Sequence, residues 1–203
     1  MAAINTVIFD LGNVLIDWNP KHVFNDTYFD SIEKRDYFLH HICTMDWNEQ
    51  QDEGHSIVAA TQELIGKFPD WEQPIRDYYG RWTEMLGGPI QESVEIFREL
   101  KENSGLRFYA LTNWSAELFP IALQRYDFLQ WFDGRVVSGE EKMKKPAPEF
   151  YKLLLNRYDV KTGQALFIDD NLRNITAAKS LGIESIHFHS PQQLIVALVT
   201  YNI

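Results

Sequence analysis

Cysteine is almost absent from the 203 residues: Cys43 stands alone. No intrachain disulfide is possible, and the usage fits a reducing, cytoplasmic setting. Long apolar runs are missing too, none approaching the roughly 18 residues of a membrane-spanning helix. The opening "MAAINTVIFD" has no basic leader and no long hydrophobic stretch, which predicts no signal peptide. Positive charge is scarce, with 19 Lys and Arg against 29 Asp and Glu and a net charge of -10. That balance argues against nucleic acid as a partner, because a phosphate backbone needs a Lys/Arg surface. A small phosphorylated ligand remains compatible, since a local cluster of cation, lysine and backbone N–H groups can hold it. There is no G-x-S-x-G elbow and no Walker-type loop. The six histidines match no zinc spacing on one helix face, and His187 and His189, on one face of the last strand, read as structural.

What is present is apolar patterning. Apolar residues make up 45% of the chain and aromatics 14%, enough for a real core. Five short apolar strands are predicted, at Thr6–Phe9, Phe108–Leu111, Arg135–Val137, Ala165–Ile168 and Ser185–Phe188. Helical patterns alternate with them: "IQESVEIFRELKENSG" before Gly105, "PEFYKLLLNRY", and "LRNITAAKSLG" ending at Gly182. This alternation implies an α/β layer fold with a mostly parallel sheet. Between the first two strands lies a long aromatic-rich segment, roughly Pro20 to Gly88, with helical patterns and no convincing strand. It reads as a small inserted helical domain, with one helix in "GHSIVAATQELIGKF" capped by Ser56 and another in "QPIRDYYGRWTEML".

Ligands of parallel sheets bind at the carboxyl ends of the strands, so the residues standing there matter most. Strand one ends in Asp10, inside "TVIFDLGNVLIDWNP". Strand two ends in "ALTNWS", strand three runs into "SGEEKMKKPAPEFY", and strand four ends in "LFIDDNLRN". Any one of these segments alone is what a helix cap, a turn or a solvated loop would show. Together they bring an Asp, a Thr, a Lys and an Asp pair to one edge of one sheet. Adjacent carboxylates repel unless a cation or proton relieves them, and hard oxygen ligands suit Mg²⁺.

The four segments, in this order and across nearly the whole chain, resemble the motifs of the haloacid-dehalogenase superfamily of aspartate-nucleophile hydrolases. The wording most resembles the phosphatase branch, near the sugar-phosphate phosphatases and the phosphatase-like N-terminal domain of epoxide hydrolases. The resemblance implies a Rossmann-like core at 1–17 and 89–203 with a helical cap at 18–88. It further implies Mg²⁺-dependent hydrolysis of a small phosphomonoester, a sugar phosphate or similar metabolite, through an aspartyl-phosphate on Asp10. Thr112 matches the hydroxyl that bonds a phosphoryl oxygen, with Asn113 assisting. Lys145 matches the charge-neutralising lysine, with Lys144 as its rival. Asp170 matches the principal metal carboxylate and Asp169 a metal or water-shell ligand, completed by Asp10 and the Gly12 carbonyl. Asn174 falls where many relatives carry another acid.

Gly12 departs from the pattern. Most phosphatases of the family place a second Asp there, which protonates the leaving oxygen and then activates water. Asp17 and Asn13 are near in sequence, only Asp17 titrates, and the general acid stays unassigned. The alternatives are a 2-haloacid-dehalogenase-type hydrolase, which needs no metal, and a catalytically weak phosphometabolite-binding protein. The cap of this class closes over the site and selects the substrate. Trp18, Trp47 with Glu49, and Trp114 are expected to line the pocket, packing at the domain junction being the competing role. The expected assembly is a monomer or homodimer, without nucleic acid or membrane.

Overall fold

The structure, a computed structural model, describes residues 3–203. Among the described residues seven strands occur in chain order: β1 (Thr6–Phe9), β2 (Ile16–Trp18), β3 (Leu86–Pro89), β4 (Arg107–Thr112), β5 (Gly134–Val137), β6 (Ala165–Asp169) and β7 (Glu184–His187). Five of them form one parallel sheet in the order β5-β4-β1-β6-β7. The strand that leads into Asp10 thus sits at the centre. It is short, and all four of its residues are buried.

Side chains of a strand alternate between faces, and the core divides accordingly. Val7 and Phe9 belong to one apolar cluster and Ile8 to the other. On the Ile8 face lie two helices, Pro148–Arg157 and Leu172–Ser180, through Phe150, Tyr151, Leu154, Ile175 and Ala178. The Phe9 face receives helices Gln91–Asn103, Phe119–Arg125 and Pro191–Val199. There Phe97 stacks on Phe132 with centroids 4.5 Å apart and packs on Phe9 at 5.4 Å. No helix among the described residues is long and apolar enough to cross a membrane.

The insertion is helical and contains α1 (Asp26–Phe29), α2 (Ile32–Tyr37), α3 (Met45–Asp52) and α4 (Ile57–Lys67). A fifth, α5 (Glu72–Gly80), completes it, and a π-helical turn over Phe38–Ile42 joins α2 to α3. Ser56 caps α4, its hydroxyl accepting from the Ala59 N–H. The cap has its own aromatic core, in which Phe24 meets Phe38 at 4.8 Å and Phe38 stacks on Trp71 at 5.8 Å.

One expectation fails here. The segment up to Gly88 is not free of strand, because β3 pairs antiparallel with β2 to form a ribbon at the root of the cap. "LGGP" has little intrinsic strand preference, so pairing rather than propensity makes it a strand. The divisions at 17/18 and 88/89 therefore fall within this ribbon.

Candidate active site

The site opens where β1, β4 and β6 end. Asp10 extends the ladder of β1, donating its N–H to the Ile168 carbonyl at 2.8 Å. Its Oδ1 accepts from the Leu11 N–H at 2.7 Å. The chain then turns tightly: the Asn13 N–H bonds the Ile16 carbonyl, and Leu15 and Ile16 both donate to the Leu11 carbonyl. Asn13 takes a left-handed conformation with φ 54°, which asparagine tolerates better than most residues. Among the described residues the Gly12 carbonyl has no hydrogen-bond partner in this turn.

Lys145 is wholly buried, and its Nζ lies 2.8 Å from Asp10 Oδ1 and 2.7 Å from Asp169 Oδ2. Its backbone is clamped by Asn113, whose Nδ2 donates to the Lys145 carbonyl while Oδ1 accepts from the Lys145 N–H. The rival, Lys144, points to the cap instead, with Nζ 3.2 Å from Glu53 and 3.5 Å from Glu49. Geometry thus places Lys145, not Lys144, against Asp10.

Asp169 is also wholly buried. Its carboxylate accepts from Lys145, from the Asn171 N–H at 2.7 Å and from Asn174 Nδ2 at 3.1 Å to each oxygen. Asn174 therefore supplies a neutral donor to Asp169. Asp170 faces the cavity, and the Asn13 side chain helps to hold its charge. Behind it, His187 Nε2 lies 2.9 Å from the Asp170 carbonyl.

One lysine cannot neutralise three carboxylates. Burial pushes the Asp10 carboxyl up to about 8, with Lys145 opposing and Asp169 and Asp170 adding to the rise. Burial and then Asp169 raise Asp170 as well. Burial works against the charge of Lys145, yet Asp10 and Asp169 outweigh it and hold the ammonium above its ordinary value. Carboxylate oxygens of Asp10, Asp169 and Asp170 lie within 4.8 Å of one another. This surplus of oxygen charge, with the unpartnered Gly12 carbonyl beside it, fits a hard divalent cation. Asp10, Asp170 and Gly12 offer the free faces, whereas Asp169 is engaged by Lys145 and the two asparagines.

At the end of β4, Thr112 Oγ1 is buried and has no hydrogen-bond partner among the described residues. A buried hydroxyl left unpaired in this way is costly unless a ligand completes it.

A cavity of about 160 Å³ covers this edge. Trp18 and Trp114 line it, and Trp82 joins them, meeting Trp114 edge-on at 5.7 Å. Trp47 does not. It packs on Tyr78 at 5.3 Å and Tyr79 at 5.4 Å inside the cap. On a helix Trp47 and Glu49 point about 200° apart, so Glu49 reaches the cavity and Trp47 cannot. Asp17 is outside as well, bonded to His22 Nε2 at 2.9 Å.

Several lining residues were not anticipated: Met45, Asn48, Asp52, Trp82 and Arg173. Asn48 and Asp52 carried a signal, being polar residues four apart on a cap helix whose inward face buries Asn48 and Gln51. Nothing in the sequence places Trp82 or Arg173. The cap is docked onto the core by Arg173 with Glu49 at 2.6 Å, by the Ile57 N–H on Glu117 at 2.9 Å, and by the Ser138 hydroxyl on the Asp52 carbonyl.

Known proteins agree with this geometry. The model of the haloacid dehalogenase-like hydrolases matches residues 4–182. A sesquiterpene phosphatase of Aspergillus oryzae is 31% identical over 183 residues, 89% of this chain and 87% of that one. A phosphorylated carbohydrates phosphatase of Thermotoga maritima is 26% identical over 203 residues, covering 91% and 84%. Among solved structures, a haloacid dehalogenase family enzyme of Bacteroides thetaiotaomicron, crystallised with magnesium and inorganic phosphate, superposes with a TM-score of 0.69. It is 20% identical and covers 93% of this chain and 96% of its own. With the sheet order, the strand-end carboxylates and the family match in agreement, this chain belongs to the haloacid dehalogenase-like hydrolases.

Proposed function

We propose that the protein is a Mg²⁺-dependent phosphatase of a small phosphomonoester, acting through an aspartyl-phosphate on Asp10. The observation that carries this reading is the position of Asp10, 2.8 Å from the Nζ of a wholly buried Lys145 that also holds Asp169. The Asp10 carboxylate attacks phosphorus, an Asp–O–P bond forms, and the bond to the alcohol oxygen breaks. Water then attacks the same phosphorus, phosphate leaves, and Asp10 is regenerated. Two of the three Lys145 N–H donors serve Asp10 and Asp169, and the third is left for a transferring phosphoryl oxygen. The unpaired Thr112 hydroxyl supplies a second donor to that group. Mg²⁺, held by Asp10, Asp170 and the Gly12 carbonyl, would offset the negative charge of the phosphoryl group.

Both named relatives are phosphatases, which supports the same chemistry. The adjacent Asp169 and Asp170 favour a cation over the metal-free dehalogenase alternative. A cavity of about 160 Å³ is close to the ~150 Å³ space that holds a benzene-sized molecule, so a compact ester suits it. Trp18, Trp82 and Trp114 offer flat walls to the apolar face of a sugar or a similar alcohol.

The test is phosphate release from a panel of sugar phosphates and other small esters, with Mg²⁺ and with chelator. Release that requires Mg²⁺ and disappears in Asp10→Asn is expected. No release from any ester, with Mg²⁺ still bound, would leave a ligand-binding role in its place.

A further inference from the structure

Breaking the ester bond of an alkyl phosphate expels an alkoxide, which needs a proton, and Gly12 has no side chain to give one. We propose that Asp52, the last residue of α3 in the cap, donates that proton and later accepts one from the attacking water. This assignment rests on the phosphatase reading above.

Four carboxylates line the cavity: Asp10, Glu49, Asp52 and Asp170. Asp10 is committed as nucleophile, and Asp170 belongs to the carboxylate cluster beside it. Glu49 is bound by Arg173 at 2.6 Å and by Lys144 at 3.5 Å. Among the described residues Asp52 alone of the four is neither in an ion pair nor in the cluster.

Asp52 is also fixed to the core through its backbone. Its carbonyl takes the Ser138 hydroxyl, and that same hydroxyl oxygen accepts from the Trp114 N–H at 2.8 Å. Its carboxylate is oriented by Asn48, whose Nδ2 donates to Oδ2 at 2.9 Å. The other end of the Asn48 amide meets the Tyr79 hydroxyl at 3.1 Å, which also lies 3.1 Å from Gln51 Oε1. The carboxyl is therefore held between the Asn48 amide and the Ser115 N–H, in the wall of the same cavity that Asp10, Lys145 and Asp170 line.

Its protonation suits the task. Burial lifts the carboxyl to about 7, the Ser115 N–H opposes, Glu49 adds to the rise, and Lys144 and Asn48 oppose it. A general acid works best when its pKa lies near the operating pH. In the first half-reaction the Asp52 O–H bond breaks and its proton moves to the departing ester oxygen as the P–O bond cleaves. In the second, the Asp52 carboxylate takes a proton from the water that attacks the phosphorylated Asp10. The two transfers leave Asp52 as it began.

The test compares an alkyl phosphate with p-nitrophenyl phosphate, whose leaving group departs without a proton. In Asp52→Asn the ratio of alkyl to aryl kcat/KM, which reports the first transfer and not the dephosphorylation that all esters share, should fall about a hundredfold. In Gly12→Asp/Asp52→Asn it should recover at least about tenfold. In the wild type, a series of esters of graded leaving-group acidity should give nearly level kcat/KM, becoming steep in Asp52→Asn. An unchanged ratio in Asp52→Asn, or a steep series already in the wild type, would overturn the assignment, and the second result needs no variant to fold. Absence of any Asp10-dependent aryl turnover would instead defeat the underlying phosphatase reading, and this proposal with it.

Discussion

Asn113 and Lys145 are joined by two hydrogen bonds in opposite directions, 3.0 Å from Asn113 Nδ2 to the Lys145 carbonyl and 2.8 Å from the Lys145 N–H to Asn113 Oδ1. A side-chain amide at the end of β4 thereby fixes the backbone of the lysine that meets Asp10. Substituting Asn113→Ala leaves a half-buried N–H and carbonyl unpaired and lets the lysine drift. Turnover should fall about tenfold to a hundredfold, with a smaller change in KM. Equal kcat in variant and wild type would remove Asn113 from the positioning of Lys145.

Lys145→Met leaves Asp10 and Asp169 facing each other without their shared cation. Removing one partner of a buried pair costs about 3–5 kcal/mol. Because Asp10 already has a raised pKa, the carboxyl favours its protonated form in the folded state. The damage should therefore grow as pH rises through about 8 and shrink toward pH 5. Thermal melts of both proteins across that range check the sign.

Asp52 carries a stability signature independent of turnover. Its folded pKa of about 7 lies above the unfolded value of 3.8, so the folded state binds the extra proton between them. That contribution is complete below the unfolded value and is lost as pH rises through about 7. Relative to wild type, Asp52→Asn should gain on the order of 2 kcal/mol on going from pH 5 to pH 8. A difference that stays flat with pH would mean that the folded carboxyl titrates like an unfolded one.

At Gly12 an added Cβ meets nothing within 4 Å, and its φ is not among the left-handed ones. The variant Gly12→Asp should fold with a melting temperature close to that of wild type. Phosphate release from alkyl esters should change less than about threefold in this variant, since Asp52 already supplies the proton, and the new carboxylate should matter only where Asp52 is replaced. Gly139 is the opposite case, because its Cβ would strike the Ala116 nitrogen and press on the Trp114 carbonyl. A Gly139→Ala change should therefore cost stability.

Glu49 joins cap to core through Arg173 and Lys144, both partly exposed. Such pairs are each worth under about 1 kcal/mol, so Glu49→Gln should barely move the melting temperature. Cap opening should respond more strongly. Hydrogen exchange over Met45–Asp52 is expected to quicken severalfold, and high salt should produce the same change in the wild type.

The central strands were legible because β1, β4 and β6 are short apolar runs, each ending in a polar residue that packing alone does not explain. Their ends gave Asp10, Thr112 and the Asp169–Asp170 pair from chain order alone. The Lys-Pro step favours Lys145 over Lys144 in the sequence, but which of the two faces Asp10 depends on how the backbone turns, and Asn113 sets that. β2 and β3 were hidden for another reason: "LGGP" becomes a strand only by pairing with Ile16–Trp18. Trp47 misled because proximity to Glu49 in sequence is near-opposition on a helix. For Asp52 the sequence offered only its spacing from Asn48, because the rest of its environment comes from Tyr79 and Ser115 on separate stretches of chain.

The measurement that bears most directly on the central claim is rapid acid quench of the enzyme mixed with Mg²⁺ and a turned-over phosphoester, followed by peptide mass spectrometry. A phosphoryl group on the peptide carrying Asp10, present during turnover and gone once substrate is exhausted, is the expected result. Steady phosphate release by the wild type with no phosphorylated Asp10 peptide at any quench time, together with an Asp10→Asn variant as active as wild type, would contradict it.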